Sequence, residues 1–273
     1  MSIYRRPFTR TATVVVATAA VLGIGAVATP ATGAPDAPKP PTLRVLVTND
    51  DGVAAPGIDA LVQGLRKLDR VQLTVVAPAD NKSGSSDMTT PGTPGALATN
   101  ETTTANGYPA IAVQGFPADT VNFALDGGIP TKPQLVASGI NAGANLGPVT
   151  GVSGTVGAAR TAVRRGVPAV AISQGTTEGV QPDYPAGVRQ AVTWVKEHRK
   201  ALTKKNPKPP TAAASINVPT CTTGKVRGLI DVPTATGGDV TQPPNCASKV
   251  KNPPDDVIAF VNGYAPLSPV PPG

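Results

Sequence analysis

Short apolar runs alternate along the chain with segments whose apolar residues recur every three or four positions. Leu43-Arg44-Val45-Leu46-Val47-Thr48 predicts a strand buried on both faces. "GIDALVQGLRKL" (57–68) predicts a helix, because Ile58, Leu61, Val62, Leu65 and Leu68 fall on one side. "VQLTVVAP" (71–78) is a second strand stopped by Pro78, and "AIAVQG" (110–115) and "QLVASGI" (134–140) are two more. "PADTVNFAL" (117–125), "GTVGAARTAVRRG" (154–166) and "PAGVRQAVTWVKEHRKAL" (185–202) read as helices, "PAVAIS" (168–173) and "ASINVP" (214–219) as strands. This alternation predicts an α/β fold with a mostly parallel sheet covered on both faces. Residues 203–257 are rich in proline and read as an irregular or hairpin-bearing extension.

The first residues stand apart from this pattern. Arg5, Arg6 and Arg10 precede the uncharged stretch "TATVVVATAAVLGIGAVA", and Ala26-Val27-Ala28 offers a small-residue cleavage site, with Ala34 a later alternative. That order is expected of a secretory signal peptide over 1–28, exported by the Sec or the twin-arginine route, with no stable membrane insertion after cleavage. A Pro/Ala linker is expected over 29–41 and one large domain over 42–270, about 230 residues with room for a substantial core. The net charge of +7 falls to about +4 without the leader arginines, which suits anionic small molecules. Such a dispersed excess, with aromatics at 3%, argues against a nucleic-acid polymer as partner. Cys221 and Cys246 lack metal-ligand spacing. In an exported chain one disulfide closing a Pro/Gly-rich loop is expected, worth about 3 kcal/mol, with two buried free thiols as the alternative.

The candidate chemistry gathers at strand ends, where open α/β sheets bind ligands. "VTNDDGVAAPGI" (47–58) sets Asp50 and Asp51 at the tip of the first strand, and Gly52 lets the chain swing both carboxylates toward one point. Adjacent like charges are resolved most simply by a divalent metal, and carboxylate oxygens favour Mg²⁺, Mn²⁺ or Ca²⁺. With one histidine in the chain a zinc site is nearly excluded. The loop after the second strand supplies Lys82, Ser83, Ser85 and Ser86. "SGINAGANLGPVTGVSGTVGAART" (138–161) supplies Asn141, Asn145 and many glycines whose amides can approach an anion. Ser153-Gly154-Thr155 falls where the next helix begins, a position suited to phosphate.

"VLVTNDDGVAAPGI", "VVAPADNKSGSS", "GFPADTVNFAL", "VASGINAGANLG", "SGTVGAARTAVRRGVPAVAIS" and "INVP" occur in the order found in the SurE family of survival-protein nucleotidases and phosphatases, which this chain resembles over roughly residues 43–269. The resemblance implies a Rossmann-like domain and a metal-dependent phosphomonoesterase acting on nucleoside monophosphates and other small phosphate esters. It implies Asp50, Asp51, Ser83 and Asn141 as ligands of Mg²⁺ or Mn²⁺, and Asn145, Ser153, Gly154 and Thr155 as holders of the phosphate. Asp50, Asp51 and Asn145 are the expected catalytic residues; one of the two aspartates is expected to orient or deprotonate the water, with Asp50 the first candidate and the sequence leaving the choice open. A homodimer or tetramer built through C-terminal extensions is implied as well.

The chain departs from the family pattern at three places. Ala54 stands where His or Asp is frequent, Pro148-Val149-Thr150 replaces acidic residues after "NLG", and the only histidine, His198, reads as a surface residue near a helix end. These departures resemble an exported, acid-phosphatase-like branch. They also keep open an exported phosphate-ester-binding protein with little or no turnover. A phospho-acceptor signalling domain would also use an acidic pair and Mg²⁺, but the export signal and the glycine-rich loop oppose it.

Overall fold

The computed structural model describes residues 40–92 and 97–273; the expected leader and most of the expected linker lie outside them. Nine strands form one sheet: β1 (Leu43–Thr48), β2 (Val71–Pro78), β3 (Thr99–Thr103), β4 (Pro109–Val113), β5 (Leu135–Ala142), β6 (Ala169–Gln174), β7 (Ala213–Val218), β8 (Leu229–Asp231) and β9 (Ala265–Val270). The helices are α1 (Pro56–Leu65), α2 (Pro117–Phe123), α3 (Gly154–Arg164), α4 (Tyr184–Leu202) and α5 (Asp256–Val261). The strand order is β3-β4-β2-β1-β5-β6-β7-β9-β8. The six strands from β4 to β7 run parallel. β3 joins β4 and β9 joins β7 antiparallel, closing the parallel core at both sides.

Burial on both faces explains the apolar runs inside the central strands, such as Val45-Leu46-Val47 and Val75-Val76-Ala77. On one face α1 and α4 bury Ile58, Leu61, Leu65, Trp194 and Val195 against Val45, Val47, Ile172 and Ile216. On the other, α2 and α3 bury Val121, Val156, Ala159 and Val163 against Leu46, Val76 and Val136. Each fully buried aliphatic side chain contributes about 1.5–3 kcal/mol, so these two layers carry the stability of the fold. α3 is rich in alanine because it lies close to the sheet and leaves little room for longer side chains.

The chain first winds outward from β1 through β2 to β4, then returns to the other side of β1 and continues through β5, β6 and β7. The direction of winding therefore switches between β1 and β5. In such sheets the loops diverge at the switch and open a crevice beyond the strand ends.

Candidate active site

β1 delivers Asn49, Asp50 and Asp51 to that crevice. Gly52 turns the chain with φ 100°, a conformation that a side chain resists, and a Cβ there would stand 3.2 Å from the Asp80 backbone. Asn49 fixes the turn by donating Nδ2 to the Gly52 carbonyl at 2.8 Å. The two carboxylates then part. Asp50, buried at 2% exposure, lies under the N-terminus of α3, where Thr155 Oγ1 donates to its Oδ1 at 2.5 Å. Asp51 reaches across the switch point, and its Oδ2 accepts the Ala142 amide of β5 at 3.1 Å. Neither forms an ion pair among the described residues.

Burial pushes the Asp50 carboxyl above its ordinary value, with the Thr155 hydroxyl and the amides of Thr155 and Gly154 pulling less strongly downward. Asp51 is raised first by burial and second by the charge of Asp50, against the Ala142 amide. The same field reaches Tyr184 at the start of α4, whose phenol is raised by burial and then by Asp51.

The loop after β2 closes one side. The Lys82 amide donates to the Asp50 carbonyl at 2.7 Å, and Asn81 Nδ2 stands 3.5 Å from Asp51 Oδ1. Ser83 is exposed on this loop; its amide bonds to Asn81 Oδ1 at 2.9 Å, and its hydroxyl bonds to neither aspartate. Ser85 behaves differently. Its hydroxyl is buried without a partner, and both it and Asp50 Cβ lie 2.8 Å from the point where a Cβ on Gly154 would stand. Asn141 donates Nδ2 to the Gly143 carbonyl at 2.8 Å, which leaves its side-chain oxygen as the group available to a cation. No group of three His, Cys, Asp or Glu side chains suited to a metal occurs among the described residues. A cation here would rest on two carboxylates supplemented by neutral oxygens.

The residues of the expected phosphate cradle already have partners within the protein. Ser153 is the N-cap of α3, its hydroxyl accepting the Val156 amide at 3.2 Å. Gly154 lets the helix approach until only a hydrogen fits against Asp50 and Ser85. The Thr155 hydroxyl is committed to Asp50, so this helix start positions the carboxylate before it meets any ligand. Asn145 sits deeper. Its amide nitrogen donates to Ser173 Oγ at 2.8 Å, and its backbone N–H donates to Asn217 Oδ1 at 2.6 Å.

Ser173, Asn217 and Tyr184 were not singled out as site residues from the sequence, and Ser85 was named only together with its loop neighbours. Ser173 and Asn217 carried a usable signal, since each is a polar residue near the carboxyl end of an apolar strand. Ser85 stood in a serine-rich string with nothing to separate it from Ser83. Tyr184 had no signal, because an aromatic at a helix start is ordinary packing. His198 lies on the last turns of α4, about 20 Å of helix from Tyr184, stacked on Trp194 with centroids 4.3 Å apart. It belongs to another part of the molecule. The acids missing after "NLG" have a partial counterpart: Asp256 of α5 accepts the Gly147 amide at 2.9 Å.

A Rossmann-like parallel sheet with an acid pair at its switch point, facing a helix N-terminus, defines an α/β protein that holds a small ligand at the sheet's carboxyl edge. Comparison with known proteins identifies the family. The family model described as survival protein SurE matches residues 45–238, and the chain belongs to the SurE family. The 5'-nucleotidase SurE of Carboxydothermus hydrogenoformans is 38% identical over 188 residues, covering 68% of this chain and 69% of that protein. The 5'-nucleotidase SurE of Pelobacter propionicus is 39% identical over 185 residues, with the same coverage of 68% and 69%. The crystal structure of the SurE protein from Aquifex aeolicus aligns with a TM-score of 0.66 at 27% identity, over 84% of this chain and 94% of that one.

Cys221 and Cys246 are joined in a disulfide with Cα atoms 5.8 Å apart. No helix among the described residues is long and apolar enough to cross a membrane.

Proposed function

We propose that the protein is a metal-dependent phosphomonoesterase that hydrolyses nucleoside monophosphates and other small phosphate esters. The observation that carries this reading is the pair Asp50 and Asp51 at the switch point, Asp50 buried and Asp51 half-buried, each carboxyl raised above its ordinary value first by burial. Two carboxylates, the Asn141 oxygen and the partnerless Ser85 hydroxyl form a hard-oxygen set that fits Mg²⁺ or Mn²⁺. Asp50, Asp51 and Asn141 would hold the cation, with the buried Ser85 hydroxyl on one side and Ser83 from the solvent-exposed rim. When bound, it supplies Lewis acidity toward a phosphoryl oxygen and lowers the pKa of a water molecule.

The protein's own groups do the rest. Thr155 holds Asp50 Oδ1 at the start of α3, which orients the carboxylate to take the proton of the attacking water. Water oxygen bonds to phosphorus, its proton passes to Asp50, the ester P–O bond breaks, and the released alcohol takes a proton from solvent. Asn145, held rigid from both Ser173 and Asn217, and the amides at the start of α3 would stabilise the charge on the other phosphoryl oxygens. The relatives named 5'-nucleotidase support the substrate class.

The test is turnover of AMP and p-nitrophenyl phosphate by chelated protein and by protein refilled with Mg²⁺ or Mn²⁺. Turnover restored only by the cation is the expected result. Nucleotide binding without phosphate release would favour the phosphate-ester-binding alternative.

A further inference from the structure

Beside the acid pair lies a cavity of about 660 Å³ that the proposed chemistry does not use. Its near wall is Gly143 and Ala144, between Asn141 and Asn145 and directly after the Ala142 amide that binds Asp51. Gly143 N–H bonds to the Gln174 carbonyl at 2.9 Å, so this wall is fixed to the end of β6. The far wall is the segment Val240–Pro244, inside the loop closed by Cys221–Cys246. The Phe260 ring is the aromatic element of the lining; a Cβ on Gly175 would stand 2.3 Å from it, so only glycine there leaves the ring in place. The volume falls within the range of roughly 300–1,000 Å³ common for small-molecule sites.

The chemistry of the lining is specific. Thr176, Thr177, Thr241 and Gln242 offer hydroxyl and amide groups, and Glu178 is the one charged residue lining it among the described residues. No Lys or Arg contributes. We infer that this cavity is the leaving-group subsite, that it takes a neutral, hydroxyl-bearing alcohol such as a nucleoside, and that Glu178 makes it reject an ester carrying a second anionic group. The inference rests on the phosphomonoesterase reading above. It adds a selectivity that the phosphate-holding residues cannot supply, since they meet the same phosphate in either substrate. A carboxylate facing a second phosphate across several ångströms of partly solvated space opposes binding by roughly three- to tenfold.

The experiment compares AMP with adenosine 3',5'-bisphosphate in wild type, Glu178→Gln and Glu178→Lys, with p-nitrophenyl phosphate reporting that the chemistry is present. The quantity read is the ratio of the two nucleotides' kcat/KM. Wild type is expected to favour AMP, Glu178→Gln to narrow that preference about threefold, and Glu178→Lys to narrow it about tenfold or invert it. A ratio unchanged within twofold across the three proteins overturns the inference while leaving the phosphatase reading intact. Calorimetric binding of the same nucleotides gives the ratio independently of turnover. A protein that hydrolyses none of the three esters would therefore refute the proposed function, and its binding ratios would still decide for or against the subsite.

Discussion

Asp59 and Asp51 are eight residues apart in the chain, one in the first turn of α1 and the other just before it. Asp59 accepts Thr104 Oγ1 at 2.6 Å, the Asn106 amide at 3.0 Å, Asn106 Nδ2 and Gln63 Nε2. Burial pushes its carboxyl up, yet these donors together outweigh burial and hold it below the ordinary value. Asp51 has one backbone donor, the Asn81 side-chain amide at 3.5 Å and a second carboxylate as neighbour, and its carboxyl is raised. The contrast separates two uses of a buried acid. An acid saturated with donors holds the structure together; an acid left short of donors beside another acid has lone pairs for a ligand. Asp256, which accepts both the Gly147 and Ala235 amides, belongs with Asp59; Asp50, whose donors at the start of α3 do not outweigh its burial, belongs with Asp51.

Substitution by the isosteric amide breaks this contrast in opposite ways. The largest effect is expected for Asp50→Asn. It keeps the Thr155 contact but removes the proton acceptor, and AMP turnover should fall by about 10²–10⁴ with the circular dichroism spectrum unchanged. Activity within tenfold of wild type would place Asp50 with the structural acids.

Asp51→Asn should also cost about 10²–10³ in kcat/KM. In cation-free protein it should raise the melting temperature at pH 7 by roughly 2–4 °C, about 1 kcal/mol. The sign follows from linkage. A carboxyl raised in the fold destabilises it above the folded pKa, and the penalty fades as pH falls toward the unfolded value of about 3.9. The gain should therefore shrink as the melting curves are taken down to pH 4. A loss of stability at pH 7 would contradict the assignment.

Asp59→Asn should do the reverse: lose about 1–3 kcal/mol at pH 7, by leaving donors unmatched, and keep its kinetics. Because the Asp59 carboxyl is lowered, its contribution is present above the unfolded value and is lost as pH falls through the folded one. The smallest effect is expected for Gly154→Ala. Helix propensity alone predicts a gain of about 1 kcal/mol, whereas the clash with Asp50 and Ser85 predicts a net loss of about 1–2 kcal/mol and weaker activity. A stabilised, fully active variant would show that α3 does not clamp Asp50.

The same distinction explains what the sequence disclosed. β1, β2 and β6 were legible because strands buried on both faces carry continuous apolar runs, and β1 and β2 match their expected spans. β3, "TNETT", was not, since every residue of this edge strand is exposed and antiparallel pairing to β4 alone defines it. β9 carries two prolines and is held in the sheet by β7, a partner about fifty residues earlier that no local pattern reveals. At the site, the acid pair was conspicuous because two carboxylates rarely end a buried strand. The clamping of Asp50 by Thr155 and Gly154, and the orphaned hydroxyl of Ser85, arise only when α3 docks against the end of β1. Sequence named these residues or their neighbours; tertiary packing assigned their tasks.

The most direct measurement is calorimetric titration of Mn²⁺ into chelated wild type and Asp51→Asn, with AMP turnover followed in the same samples. One Mn²⁺ bound per wild-type chain, with turnover appearing in step, and both lost in the variant, is the expected result. Binding and turnover that survive unchanged in Asp51→Asn, or a wild type that binds no divalent cation, would contradict it.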